Sequence, residues 1–222
     1  MSQISLFGAR YIAGVAATKT PVTVHLLLGT TDRIKLVTTR GKAKRRKLSG
    51  RPRWKKRRTA SASAERAALR AAWTVHLDKQ RWSGKILDTV PAIAEFGARR
   101  LLAVRGWDHD RWPVVPREME VQGRWPGSTR VGTGEQVNLR IDATLVARVR
   151  AACWGTSKDA IAELYLWRDA HPGPLALQDE EAMAEYERLA EQVVTPGDFW
   201  RDALEEVLPL FRPADRPPLD EL

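Results

Sequence analysis

At 222 residues, 43% of them apolar, the chain can build a substantial core in one or two domains. Its formal charge is +10 but unevenly spread: residues 175–222 hold 13 acidic against 4 basic side chains, a balance of −9 that leaves +19 on the first 174 residues. A basic body with an acidic tail points to a polyanion partner, nucleic acid first. The single Cys153 excludes an internal disulfide and a cysteine-based zinc site, and reads as a core residue. No apolar run approaches the roughly 18 residues of a spanning helix. The short Tyr11–Ala17 run is followed closely by Lys19, so no secretory signal is expected and the expected location is cytoplasmic, on the nucleoid.

Taken in order, residues 1–59 form a first segment. Val22–Leu28 and Ile34–Thr38 are rich in β-branched residues and flank Gly29, Thr30, Thr31 and Asp32, which predicts a hairpin. Arg40–Arg58 then holds 12 Lys or Arg among 19 residues and no acid, including Lys44, Arg45, Arg46 and Lys47 and then Lys55, Lys56, Arg57 and Arg58. Like charges at this density oppose compaction, so a flexible arm that neutralises phosphates is expected, with a solubilising linker as the plainer alternative. Trp54 within it could stack on a base.

Residues 60–105 read as a small helical module. Ser61–Leu77 is Ala-rich and helical, and Gly84–Val104 carries Ile86, Leu87, Ile93, Phe96, Leu101 and Leu102, with Pro91 starting or breaking a helix. Residues 106–133 form a connector with Pro113, Pro116 and Pro126, and a domain boundary is expected near it. Trp107, Trp112 and Trp125 are unusual for a free linker and suggest that it lies across a domain. Asp108, His109 and Asp110 are adjacent, but a polar loop explains them better than a metal or acid–base cluster.

Residues 134–171 are the organising stretch. From Gln136 to Ile141 polar and apolar residues alternate, the pattern of a half-buried strand: Gln136, Asn138 and Arg140 on one face, Val137, Leu139 and Ile141 on the other. Asp142 can cap a helix bearing Leu145, Val146, Val149, Ala152 and Cys153. Gly155 is expected to end it, and Thr156 or Ser157 to cap a second helix with Ile161, Leu164 and Tyr165. A lone strand with two short helices buries too little to stand alone, so pairing with the same strand of a second chain is expected.

This order of strand, capped helix, Gly turn and Ser-capped helix resembles the ribbon-helix-helix family of DNA-binding proteins, nearest to Arc-type repressors, over about 37 residues. The resemblance implies a homodimer whose two-stranded ribbon covers four helices, within a mainly α chain with short β. Its dimer core would comprise Val137, Leu139, Ile141, Leu145, Val149, Ile161 and Leu164. It also implies that Gln136, Asn138 and Arg140 read base edges, the first two at adenine and the third at guanine. Thr156, Ser157 and Lys158, at a helix start, would hold a phosphate. A transcriptional repressor is the family's commonest role. A plasmid partition protein, an antitoxin or a non-specific structural protein would share the chemistry.

Residues 172–222 read as an acidic helical tail. Gln178–Val194 has Asp179, Glu180 and Glu181 at its positive end, and Gly197–Phe211 carries Phe199, Leu204, Val207 and Leu208 at helical spacing. A protein partner for this tail and a packed extension of the body are both open readings. No P-loop, dinucleotide fingerprint, metal spacing or nucleophile motif is present, and the four His are dispersed. Neither an enzyme nor a cofactor is expected.

Overall fold

The computed structural model describes residues 18–48, 60–109, 111–121, 125–127, 135–173 and 179–211. They form seven helices and one two-stranded antiparallel sheet, in the order β1 (Lys19–Leu26), α1 (Thr30–Lys47), α2 (Ala60–Trp82), α3 (Val90–Val104), α4 (Arg117–Val121), β2 (Glu135–Asp142), α5 (Ala143–Ala170), α6 (Glu180–Ala190) and α7 (Pro196–Val207). A short 3-10 turn, Leu208–Phe211, follows. The mainly α architecture with short β is therefore as expected.

The hairpin is not formed. β1 is a strand, but Thr30–Lys47 is helical, with Ile34, Val37, Thr38 and Gly41 buried along one face. The β-branched residues fit that i, i+3, i+4, i+7 spacing as well as they fit a strand, and composition alone misleads. Gly29, at φ 81°, turns the chain between the two elements. The basic stretch from Arg40 to Lys47 is thus the C-terminal half of a helix rather than a flexible arm, its positive charge placed at the negative end of the helix dipole. Trp54, Lys55, Lys56, Arg57 and Arg58 lie outside the described residues.

The partner of β2 is β1 of the same chain, with Val22 opposite Leu139, Thr23 opposite Asn138 and Val24 opposite Val137. The expected pairing with a second copy is corrected accordingly: a complementary strand lies more than a hundred residues upstream, and alternation within one segment carries no signal for it. The inner face of this ribbon packs on α3, α5 and α7.

The helix expected to end at Gly155 runs unbroken from Ala143 to Ala170. Gly155 does not adopt the left-handed conformation of a helix end. A Cβ there would collide with the Trp112 ring, so the missing side chain serves a close tertiary approach. Asp142 caps α5 as expected, accepting from the Leu145 amide at 3.1 Å.

One continuous core takes Val24 and Leu26 from β1, Ile93 and Leu102 from α3, Ile141 from β2, Val149 and Ile161 from α5, and Phe199, Trp200 and Leu204 from α7. Packing therefore crosses the boundaries expected near residues 105, 134 and 171. Thr89 caps α3 and Pro91 sits in its first turn, so the helix begins at Val90. Thr195 and Asp198 form a capping box on α7 and Asp179 caps α6, in line with the helices read from the sequence. The connector is pinned by its tryptophans. Trp107 stacks on Phe199, the Trp112 Nε1 donates to the Trp107 carbonyl at 3.0 Å, and the Trp125 Nε1 donates to the Met119 carbonyl at 3.2 Å.

The acidic C-terminal helices are part of this body. Glu205 pairs with Arg33 at 2.9 Å, Glu206 with Arg100 at 3.0 Å and Asp202 with Arg105 at 2.6 Å. Such partly exposed pairs add little stability individually. They do give the charge segregation of the sequence an internal use, and favour the packed extension over a free partner-binding tail.

Candidate nucleic-acid interface

Two strands of eight residues present one polar face. Gln136, Asn138 and Arg140 are all exposed on it, and the register sets His25, Thr23 and Pro21 opposite them, also exposed. The other face carries Val22, Val24, Leu139 and Ile141 toward the core. The alternation seen in the sequence therefore does place the three expected readers in one outward row. Sequence reasoning missed the β1 half of the face, although Thr23 and His25 alternate with Val22, Val24 and Leu26 in the same period of two.

The polar residues interact. The Thr23 hydroxyl donates to Asn138 Oδ1 at 2.9 Å across the ribbon, and Gln136 Nε2 donates to the same oxygen at 3.5 Å. Bidentate pairing of Asn138 with adenine needs that oxygen as an acceptor, so it would have to release one of these donors.

The ends of the ribbon are fixed to helices. Glu135 accepts from the Thr31 hydroxyl at 2.7 Å, the Thr31 amide at 3.1 Å and the Gly29 amide at 3.2 Å, satisfying the start of α1. These hydrogen bonds, the Thr31 hydroxyl's first, hold its carboxyl below the ordinary glutamate value. At the other end Glu95 accepts from Lys19 at 2.7 Å and from the Asp142 amide at 3.0 Å. The Arg201 Nε donates to the His25 carbonyl at 3.1 Å. The polar face thus stands on a braced strand pair.

The expected phosphate contacts fare differently. Lys44, Arg45, Arg46 and Lys47 are exposed on the last turns of α1. Arg45, however, pairs with Asp88 at 2.9 Å and is held in the structure. Arg40, Lys44 and Lys85 line a cavity of about 290 Å³ floored by Val37, Leu87 and Leu210. Thr156, Ser157 and Lys158 do not begin a helix; they lie inside α5, whose ladder takes their amides. That assignment is corrected. The Thr156 hydroxyl donates to the Ala152 carbonyl at 2.9 Å, and Ser157 is fully buried with its Oγ accepting from the Val194 amide at 2.8 Å. Ser157→Ala would take the partner from that partly buried amide and is expected to cost about 1 kcal/mol in chemical denaturation. An unchanged stability would show that the hydroxyl is not its partner.

The residues assigned to a dimer core, Val137, Leu139, Ile141, Leu145, Val149, Ile161 and Leu164, belong to the core of the single chain, Val137 only partly buried. Asp108 pairs with Arg148 at 3.1 Å, and His109 stacks on Trp112 with ring centroids 4.5 Å apart. Asp110 lies outside the described residues. Among the described residues no group of three His, Cys, Asp or Glu could hold a metal ion, and no helix is long and apolar enough to cross a membrane. Burial pushes the Cys153 thiol far above its ordinary value, as suits a core residue.

No protein-family model matches the chain, and no curated protein and no solved structure matches it.

Proposed function

We propose that this protein is a sequence-specific DNA-binding protein that sets the polar face of its β1–β2 ribbon into the major groove, acting as a regulator of the repressor kind. The observation that carries the reading is the outward row of Gln136, Asn138 and Arg140 on a two-stranded ribbon whose opposite face is buried. The major groove admits a two-stranded ribbon and displays a distinct donor and acceptor pattern for each base pair. Arginine pairs with the guanine O6 and N7, and Gln and Asn with the adenine N6 and N7, so the row carries chemistry suited to base edges. The +19 charge of the first 174 residues, with Lys44 and Lys47 exposed at the end of α1 and the Lys55–Arg58 run beyond, supplies sequence-independent attraction to phosphates.

Gel-shift titration of the full chain against duplexes selected from a random pool tests this. Arg140→Ala is expected to remove about 1–3 kcal/mol of discrimination at one base pair. Lys44→Ala with Lys47→Ala is expected to weaken all duplexes alike and to reduce the salt slope by roughly one for each phosphate no longer neutralised. Site preference unchanged in Arg140→Ala would overturn the ribbon as the reader. Strong binding without any enriched sequence would assign the affinity to the basic segments alone.

A further inference from the structure

We infer that the ribbon reads an asymmetric DNA site, one chain per site, with Thr23 and His25 of β1 sharing the readout with Gln136, Asn138 and Arg140 of β2. The inference rests on the proposed DNA binding and goes beyond it in stoichiometry, site symmetry and the residues that read.

A ribbon made by two copies of one strand carries each reader twice, related by a two-fold axis, and such symmetry is mirrored in a palindromic site. Here the two strands come from one chain and differ at every outward position: Pro21 faces Arg140, Thr23 faces Asn138 and His25 faces Gln136. No two-fold axis can relate these pairs. The face is chemically lopsided as well. Arg140, the sole cation of the three β2 readers, lies at one end of the row opposite the apolar Pro21, and the imidazole of His25 lies beside Gln136 at the other.

Self-pairing of β2 with its own copy, β1 being in place, would produce a four-stranded sheet. Strands lie about 4.8 Å apart, so its backbone alone would span about 14 Å, more than the roughly 12 Å of the major groove. Two strands fit and four do not. A single chain therefore already presents, complete, the two-stranded ribbon that the groove admits.

Along the strand, Gln136 and Arg140 are four positions apart, about 14 Å at a rise near 3.4 Å per residue. That distance matches about four base pairs at 3.4 Å each. Thr23 has a specific part in this row. Its hydroxyl is the nearer of the two donors on Asn138 Oδ1, so removing it opens one acceptor position of that oxygen and changes what Asn138 offers to a base.

The experiment is selection from a random duplex pool with the full chain, followed by native mass spectrometry of the complex on the enriched duplex. The same selection is run with Thr23→Ala, His25→Ala and a Gln136/Asn138/Arg140 triple-alanine variant, each first checked for an unchanged melting transition. The expected result is a motif of about four to five base pairs without two-fold symmetry, bound by one chain and lost in the triple variant. Thr23→Ala and His25→Ala are each expected to relax preference by tenfold or more at one position of that motif. A palindromic motif holding two chains, lost in the triple variant, would overturn the asymmetric site while leaving the DNA-binding proposal standing. Preference unaltered in both β1 variants would remove β1 from the readout and overturn the inference in the same way. No enriched motif would overturn the parent proposal and this inference together.

Discussion

Gly97→Ala is expected to destabilise the protein by about 2–4 kcal/mol and to lower its melting temperature by roughly 5–15 °C. The reason is the α3–α7 crossing, where the two helix backbones approach so closely that a Cβ at Gly97 would collide with the Ala203 carbonyl oxygen. The obstacle is backbone, so no rotamer change can relieve it. One helix must move, and Ile93, Phe199, Trp200 and Leu204, each buried to within 1% exposure, pack around that helix pair. Such a loss is a large fraction of the 5–15 kcal/mol by which most folded domains are stable. On a mid-helix position alanine is otherwise favoured over glycine by about 1 kcal/mol. The sign of the measured change therefore decides: a variant that melts at or above the parent temperature would show that α3 and α7 are not in backbone contact.

Asp88→Ala is expected to cost about 2–4 kcal/mol at neutral pH. The Asp88 side chain is fully buried, and it accepts from Arg81 at 2.8 and 3.1 Å and from Arg45 at 2.9 Å. It ties α1 and α2 to the segment that enters α3. Removing it takes this acceptor from Arg45 and leaves Arg81 with Asp78 alone, at 3.2 Å. Arg45 is 44% exposed and Arg81 23%, so water recovers part of the loss and the effect falls below that of a wholly buried pair. Burial pushes the Asp88 carboxyl up, but the hydrogen bonds and charge of Arg81, and then those of Arg45, outweigh it and hold the carboxyl below its ordinary value. A carboxyl depressed in the folded state contributes stability that is complete above its unfolded pKa, near 4, and is lost as pH falls through the folded value. The gap between parent and Asp88→Ala is therefore expected to be widest at neutral pH and to narrow in denaturant titrations below pH 4. A gap of equal size at pH 7 and pH 3 would show that the charge of Asp88 contributes nothing.

Local chemistry is readable wherever it suffices. The period of two in Gln136–Ile141 specifies the strand and both its faces, because side chains must alternate across a pleated backbone. Asp142, Thr195 and Asp179 mark helix starts because their side chains reach orphan amides within three residues. Gly155 shows the opposite case. A glycine followed by Thr and Ser has the composition of a helix end, yet it lies mid-helix because the Trp112 ring, more than forty residues away in sequence, occupies the space of its side chain. Ser157 follows the same rule: its neighbours suit a cap, yet its hydroxyl is bound to the Val194 amide, which no local pattern announces.

The proposed interface divides along the same line. Gln136, Asn138 and Arg140 are set on one face by the sequence itself, through the alternation of a single strand. Which strand lies beside them is not, because a strand's own residues fix its faces and not its partner. The long-range pairing with β1 brings Thr23 and His25 onto the polar face and makes the ribbon the work of one chain, where the sequence led to an expectation of two. The basic stretch obeys the same division. Its charge is a property of composition, whereas the helical form of Arg40–Lys47 depends on Ile34 and Val37 finding the core and on Glu135, a residue of the distant strand, satisfying the amides at the start of α1.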